Sequence, residues 1–157
     1  MSRAIYAGSF DPVTLGHTDL IHRASPLFES LMVAVGNNPA KRYTFDLEKR
    51  CELVRESTAD LPNVEVAPFT GLLVHTAAKL DATVILRGLR ALSDFDLEFR
   101  NGLANRDLSG IETMFLLSDP ELIYVSSSLV KEIASNGGDP GRYVPPNVAA
   151  ALAAKFG

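Results

Sequence analysis

Five short apolar runs, Ala4–Ala7, Leu31–Val35, Val64–Val66, Thr83–Leu86 and Thr113–Leu117, alternate with stretches whose apolar residues recur at helical spacing. This alternation constrains the fold more than any other feature. Apolar runs without a polar every-other-residue pattern read as strands buried on both faces, and such strands separated by helices pair in parallel. The expected fold is α/β: a Rossmann-like, doubly wound sheet of about five parallel strands with helices on both faces. At 157 residues the chain is expected to form a single domain, 1–157, with a core of ordinary size.

The intervening helices can be placed from the same periodicity. Leu20, Ile21, Ala24, Leu27 and Phe28 predict a first helix opening near Gly16-His17, and Phe45 to about Thr58 a second. Leu73, Thr76, Ala77 and Leu80 form the buried face of a third. Ser93-Asp94-Phe95-Asp96 has the form of a capping box, opening a fourth helix with Phe95, Phe99 and Leu103 inward. Ser126-Ser127-Ser128 starts a fifth, and Pro145-Pro146 opens the last, Val148 to Phe156.

Composition excludes several classes. The hydrophobic fraction of 46% and charged fraction of 22% fit a soluble globular protein. A net charge of −4 argues against a general nucleic-acid binder, so an anionic ligand needs a locally basic site. The single Cys51 falls on an apolar helical face, which suits packing and a reducing, cytoplasmic setting. The N-terminal apolar run breaks at Gly8, and Val148–Ala154 is too short to cross a bilayer, so no membrane partner is expected. No GxxxxGK[ST] loop, GxGxxG turn or zinc spacing occurs, and no protein-held metal is expected. His22 and His75 read as helix-surface residues.

In open α/β sheets the ligand lies beyond the carboxyl ends of the strands, where the strand order switches. The turn from Gly8 to His17, Lys41, Arg87 to Arg90 and Ser126 to Ser128 all fall on that edge. Gly8 admits close approach of a ligand to the backbone. His17 stands at a helix start, where free N–H groups and the dipole favour anions, and Ser9 adds a hydroxyl. Arg87 and Arg90 suit bidentate phosphate binding. Singly, each has a plainer reading: a polar helix start, a surface lysine, a solvated basic turn, a serine cap. Together they describe a phosphate site.

Thr14-Leu15-Gly16-His17 fills the (H/T)xGH hallmark, and directly after Gly8-Ser9-Phe10-Asp11-Pro12 it resembles the nucleotidyltransferase superfamily. With Asn38-Pro39-Ala40-Lys41, Arg87-Gly88-Leu89-Arg90, Asp94 to Glu98 and Ser126 to Glu132 in that order, the chain resembles the bacterial phosphopantetheine adenylyltransferases from about Arg3 to the final helix. The resemblance implies transfer of the adenylyl group of ATP to 4′-phosphopantetheine, giving dephospho-coenzyme A and pyrophosphate, with magnesium and commonly as a homohexamer. It implies that His17 is catalytic and contacts the ATP phosphates, and that Ser9 and Phe10 line the shared site. Lys41 and Arg87 would hold the pantetheine phosphate, with Leu73 against the pantetheine arm. Gly88, Leu89, Arg90, Glu98, Leu122, Ile123, Tyr124, Val125, Ser126, Ser127 and Ser128 would hold ATP. Relatives often carry Tyr at Leu97, Gln at Arg100 and Met at Ala104, whereas Asn105 fits, so one wall of the pantetheine pocket departs from the pattern. The alternatives are another (H/T)xGH nucleotidyltransferase, such as one acting on nicotinamide mononucleotide, and a noncatalytic nucleotide-binding regulatory domain.

Overall fold

The computed structural model describes residues 2–157. Five strands, β1 (Arg3–Gly8), β2 (Ser30–Gly36), β3 (Val64–Phe69), β4 (Val84–Leu89) and β5 (Glu112–Leu117), form one parallel sheet in the order β3-β2-β1-β4-β5. Strand order reverses between β1 and β4, the switch point of a doubly wound sheet. The pairing there is short. β1 meets β4 only at Ala4, Ile5 and Tyr6, whereas β2 follows β1 to Gly8 and β5 follows β4 to Leu89. Beyond Tyr6 and Leu86 the two central strands part, and their carboxyl ends border a crevice.

Alternate strand residues feed two cores. Tyr6, Leu31, Val33, Val35 and Leu86 pack with helices α1 (Leu15–Ala24), α2 (Leu47–Ser57), α5 (Ser127–Ser135) and α6 (Pro146–Phe156). Ile5, Ala7, Ala34 and Ile85 face the other way, against the short α3 (Leu73–Lys79). The helix α4 (Leu92–Ser109) also lies on that side but contributes no buried residue.

That last point corrects the sequence reading. Phe95, Phe99 and Leu103 are not buried: each is more than two-fifths exposed, Phe95 reaches Phe115 of β5 at 6.2 Å, and Phe95 and Phe99 stack on one another at 5.5 Å. Helical spacing identifies an apolar face but not what covers it. The capping box also fails. α4 starts at Leu92 after Ala91, which leaves Ser93 inside the helix with no cap bond. Three boundaries shift as well. Pro26 ends the first helix in a 3-10 turn, Ser25–Leu27, leaving Leu27 exposed. Asp46 caps α2, so that helix begins after Phe45. β4 extends to Leu89, so Arg87 is a strand residue held by sheet pairing instead of a turn residue. Cys51 is buried as expected, and His22 and His75 lie on helix surfaces. No helix among the described residues is long and apolar enough to cross a membrane.

Candidate active site

The crevice at the switch point holds two cavities that share Ala7, Gly8 and Arg87. One, of about 430 Å³, lies between the β1 turn, β4 and the start of α5, and is lined by His17, Gly88, Arg90, Glu98, Ser126 and Ser127, among others. The second, of about 600 Å³, lies across β1 toward β2 and is lined by Ser9, Asn37, Lys41, Tyr43, Phe69 and Leu73, among others. A further hollow of about 370 Å³ continues from the second past Leu73 and Arg87 to Ala104, Asn105 and Thr113.

The turn after β1 places His17. Phe10 takes a left-handed backbone with φ of 47°, a strained conformation for a bulky residue, and its ring is buried. That ring packs edge-on against Tyr6 at 5.5 Å and against His17 at 4.9 Å. Thr14 caps α1, and His17 is the third helical residue. The Thr14 backbone N–H donates to His17 Nδ1 at 3.0 Å, and the Thr14 hydroxyl lies 3.1 Å from the same atom. An accepting Nδ1 is unprotonated, so in the neutral ring the proton sits on Nε2 and faces the cavity.

The surroundings keep the ring neutral. Burial, then the charges of Arg90 and Arg87, push the His17 pKa down to about 4. Because the folded value lies below the unfolded one, His17 favours folding above about pH 6.5, and that contribution is lost as pH falls toward 4. In the ligand-free protein, His17 is expected to titrate near pH 4 in long-range proton–nitrogen spectra, with the Nε2–H tautomer above that. A midpoint near 6.5 would place the ring in solvent and undo this description.

Arg87 stands between the cavities. Its Nε and Nη2 donate to the two Glu98 carboxylate oxygens at 2.9 and 2.8 Å, and Nη1 donates to the Ala7 carbonyl at 3.0 Å. The hydrogen-bonded Glu98 carboxylate raises the Arg87 pKa. Arg90 lies 3.7 Å from Asp94 at the mouth of the first cavity. At the start of α5, Ser126 Oγ accepts from Leu129 N, and Ser127 Oγ donates to the Pro12 carbonyl at 2.8 Å. The serine segment therefore caps its helix and ties it to the His17 turn.

Most of the expected site residues converge, and four do not. Leu89 pairs with Leu117 in the sheet and lines neither cavity. Ile123 and Tyr124 turn outward, Tyr124 packing on Tyr143 at 5.8 Å, and Ser128 is exposed. Of that segment, Leu122, Val125, Ser126 and Ser127 reach the first cavity. Arg100 also points away, paired with Asp96 at 2.8 Å, so of the two altered wall positions only Ala104 faces the hollow.

Several residues escaped the sequence reading. Tyr6 lines the first cavity, and burial pushes its phenol up to about 12. Asp11, which the sequence shows only as part of the Gly8–Pro12 stretch, is buried and accepts the N–H groups of Thr44 and Phe45 at 2.8 and 2.9 Å. Arg50 is wholly buried. Its spacing, three after Leu47 and four before Val54, puts it on the inward side of α2, a signal obscured by its charge.

Known proteins resemble this chain in sequence and in fold. The cytidylyltransferase-like family model matches residues 5–133. The chain is 53% identical to the phosphopantetheine adenylyltransferase of Caldanaerobacter subterraneus subsp. tengcongensis, covering 99% of this chain and 98% of that one. The nicotinic acid mononucleotide adenylyltransferase of Plasmodium falciparum, solved with NaAD, superposes with a TM-score of 0.71 at 15% identity, over 99% and 95% of the two chains. A lipopolysaccharide core biosynthesis protein from Thermoplasma volcanium GSS1 superposes with a TM-score of 0.55 at 24% identity, over 76% and 97%. At those identities the two structures speak for the fold alone. The match of the family model and the 53% identity over nearly the full chain decide the family: this chain belongs to the cytidylyltransferase-like nucleotidyltransferases and, among them, to the phosphopantetheine adenylyltransferases.

Proposed function

We propose that this protein transfers the adenylyl group of ATP to 4′-phosphopantetheine, forming dephospho-coenzyme A and releasing pyrophosphate. The observation that carries the reading is the meeting of two cavities at Gly8 and Arg87, with His17 on one side and Lys41 on the other. The 430 Å³ cavity would take ATP, through Gly88, Arg90 and the Ser126–Ser127 helix start. The 600 Å³ cavity would take the acceptor, its phosphate between Lys41 and Arg87 and its arm along Leu73.

The chemistry asks for placement and charge. The acceptor phosphate is largely dianionic at pH 7, since its second pKa is about 6, and attacks the α-phosphorus without a general base. Pyrophosphate leaves as a stabilised anion, so no general acid is needed. The protein must bring two anions into line and stabilise the charge that builds on the α-phosphate oxygens. Lys41 and Arg87 offset repulsion on the incoming side, Arg90 on the leaving side, and His17 Nε2–H donates at the centre. A divalent cation, taken here as magnesium, would arrive on the triphosphate as part of the substrate. Among the described residues no three His, Cys, Asp or Glu side chains gather into a cage. This donor set fits an ion held chiefly by phosphate oxygens and water, with Asp94, half-buried beside Arg90, a carboxylate at the mouth of the ATP cavity.

The test is turnover of purified protein with ATP, magnesium and alternative acceptors. Pyrophosphate and dephospho-coenzyme A are expected with phosphopantetheine and not with nicotinamide mononucleotide; the reverse preference would move the chain to another branch of the superfamily. Lys41→Ala should lower acceptor-dependent efficiency about tenfold to a hundredfold, as loss of a charge-assisted contact implies, with less effect on ATP. Equal damage to ATP use would misplace Lys41.

We also propose that the chain is a homo-oligomer, by family resemblance a homohexamer. The uncovered face of α4, with Phe95, Phe99 and Leu103 each more than two-fifths exposed, supports association. Sedimentation of the intact protein should give six subunit masses; a monomer would refute it.

A further inference from the structure

We infer that Arg50 is a positioning residue for adenylyl transfer, its buried guanidinium tying the turn that runs from Ser9 to His17 to the acceptor-side segments at Gly36, Asn37 and Phe45. The inference rests on the reading of the two cavities as donor and acceptor sites. Arg50 lines neither cavity, so it acts through other residues.

Its contacts run to three separate segments. Nη1 donates to the Ser9 carbonyl at 2.9 Å and the Gly36 carbonyl at 2.7 Å, Nη2 to Asn37 Oδ1 at 3.2 Å, and Nε to the Phe45 carbonyl at 3.0 Å. The guanidinium also lies 3.8 Å from the centre of the Tyr43 ring. Ser9 lines the acceptor cavity with Gly36, Asn37 and Tyr43, and it also opens the turn that carries His17 to the donor cavity.

Stability is a poor reason to keep a charge there. Among the described residues no carboxylate pairs with Arg50, and a buried ion satisfied only by neutral acceptors is a costly filling for a core. Apolar residues of similar volume often do as well or better. What a guanidinium offers is a rigid fork with donors at fixed angles, able to hold several carbonyls in one geometry. Asp11 makes a second tie between the same segments through Thr44 and Phe45, with Lys131 of α5 at 3.4 Å. The relative placement of the two reacting phosphates therefore passes through Arg50. In-line attack tolerates little error, since a misplacement of about 1 Å can cost about a hundredfold in rate.

The test compares reaction with binding. Arg50→Lys keeps the charge and loses the fork. Its kcat is expected to fall about tenfold to a hundredfold, while the KM values for ATP and phosphopantetheine stay within about threefold. Calorimetry should show dephospho-coenzyme A, which spans both cavities, bound at least about tenfold more weakly, with ATP and phosphopantetheine each nearly unchanged. A residue that serves stability alone would lower the melting temperature and leave kcat of the folded protein intact. Should Arg50→Lys fail to fold, Asp11→Asn loosens the second tie and leaves Arg50 in place; it should show the same split at smaller amplitude. Unchanged kcat in a folded variant, or equal weakening of all three ligands, overturns the inference. If wild-type protein ignored phosphopantetheine, the substrate assignment would fall separately, and the same ratios would be read with the acceptor it does use.

Discussion

Replacing His17 with alanine is expected to lower kcat about a hundredfold to a thousandfold, with little change in ATP affinity. The reason is where the donor acts. Charge grows on the α-phosphate oxygens as the new bond forms, so a preorganised Nε2–H is worth most in the transition state. The Thr14 N–H that now serves Nδ1 would lose its partner, a cost of about 1 kcal/mol, which lowers the melting temperature by a few degrees without unfolding the protein. Two further variants separate the roles. His17→Gln carries an amide toward the Nε2 position and should keep more turnover than alanine. His17→Asn can serve the cap but not the cavity, and should recover stability without rate. A His17→Ala protein with near-normal turnover would remove the side chain from the mechanism.

Arg87→Ala is expected to combine a large catalytic loss with a stability loss. Its guanidinium faces both cavities, and losing charge-assisted bonds to the incoming phosphate should lower kcat/KM about a hundredfold or more. It also strands the largely buried Glu98, whose unpaired charge would cost about 2 kcal/mol, below the ~3–5 kcal/mol of a fully buried pair because Arg87 is a third exposed. Adding Glu98→Gln removes the stranded charge, so the melting temperature should recover while turnover does not. Recovery of both together would show that Arg87 serves only to neutralise Glu98.

The sheet was legible because buried parallel strands leave unbroken apolar runs: four of the five predicted runs lie within observed strands, and the remaining one starts one residue early, at Thr83. Gly8, His17, Lys41, Arg87 and Arg90 were legible as one site because strand ends in this topology face a common edge. Periodicity could not report two things. It marked Phe95, Phe99 and Leu103 as an apolar face but could not tell a face against the sheet from one left open to solvent. It also passed over Arg50 and Asp11, since buried charges break the apolar pattern and are satisfied by backbone groups distant in sequence. Which atoms of Leu122 to Ser128 turn inward depends on the conformation of an irregular segment, so Ile123 and Tyr124 could not be separated from Leu122 and Val125.

The proposed transfer is a single in-line displacement between phosphates held in adjoining cavities, with no covalent adenylyl-enzyme. It is tested most directly by the stereochemistry at phosphorus. With ATP carrying one sulfur of defined configuration on the α-phosphate, one displacement inverts that centre. Inversion in the dephospho-coenzyme A analogue is expected; retention, which requires two displacements through a covalent intermediate on the protein, would exclude the single displacement.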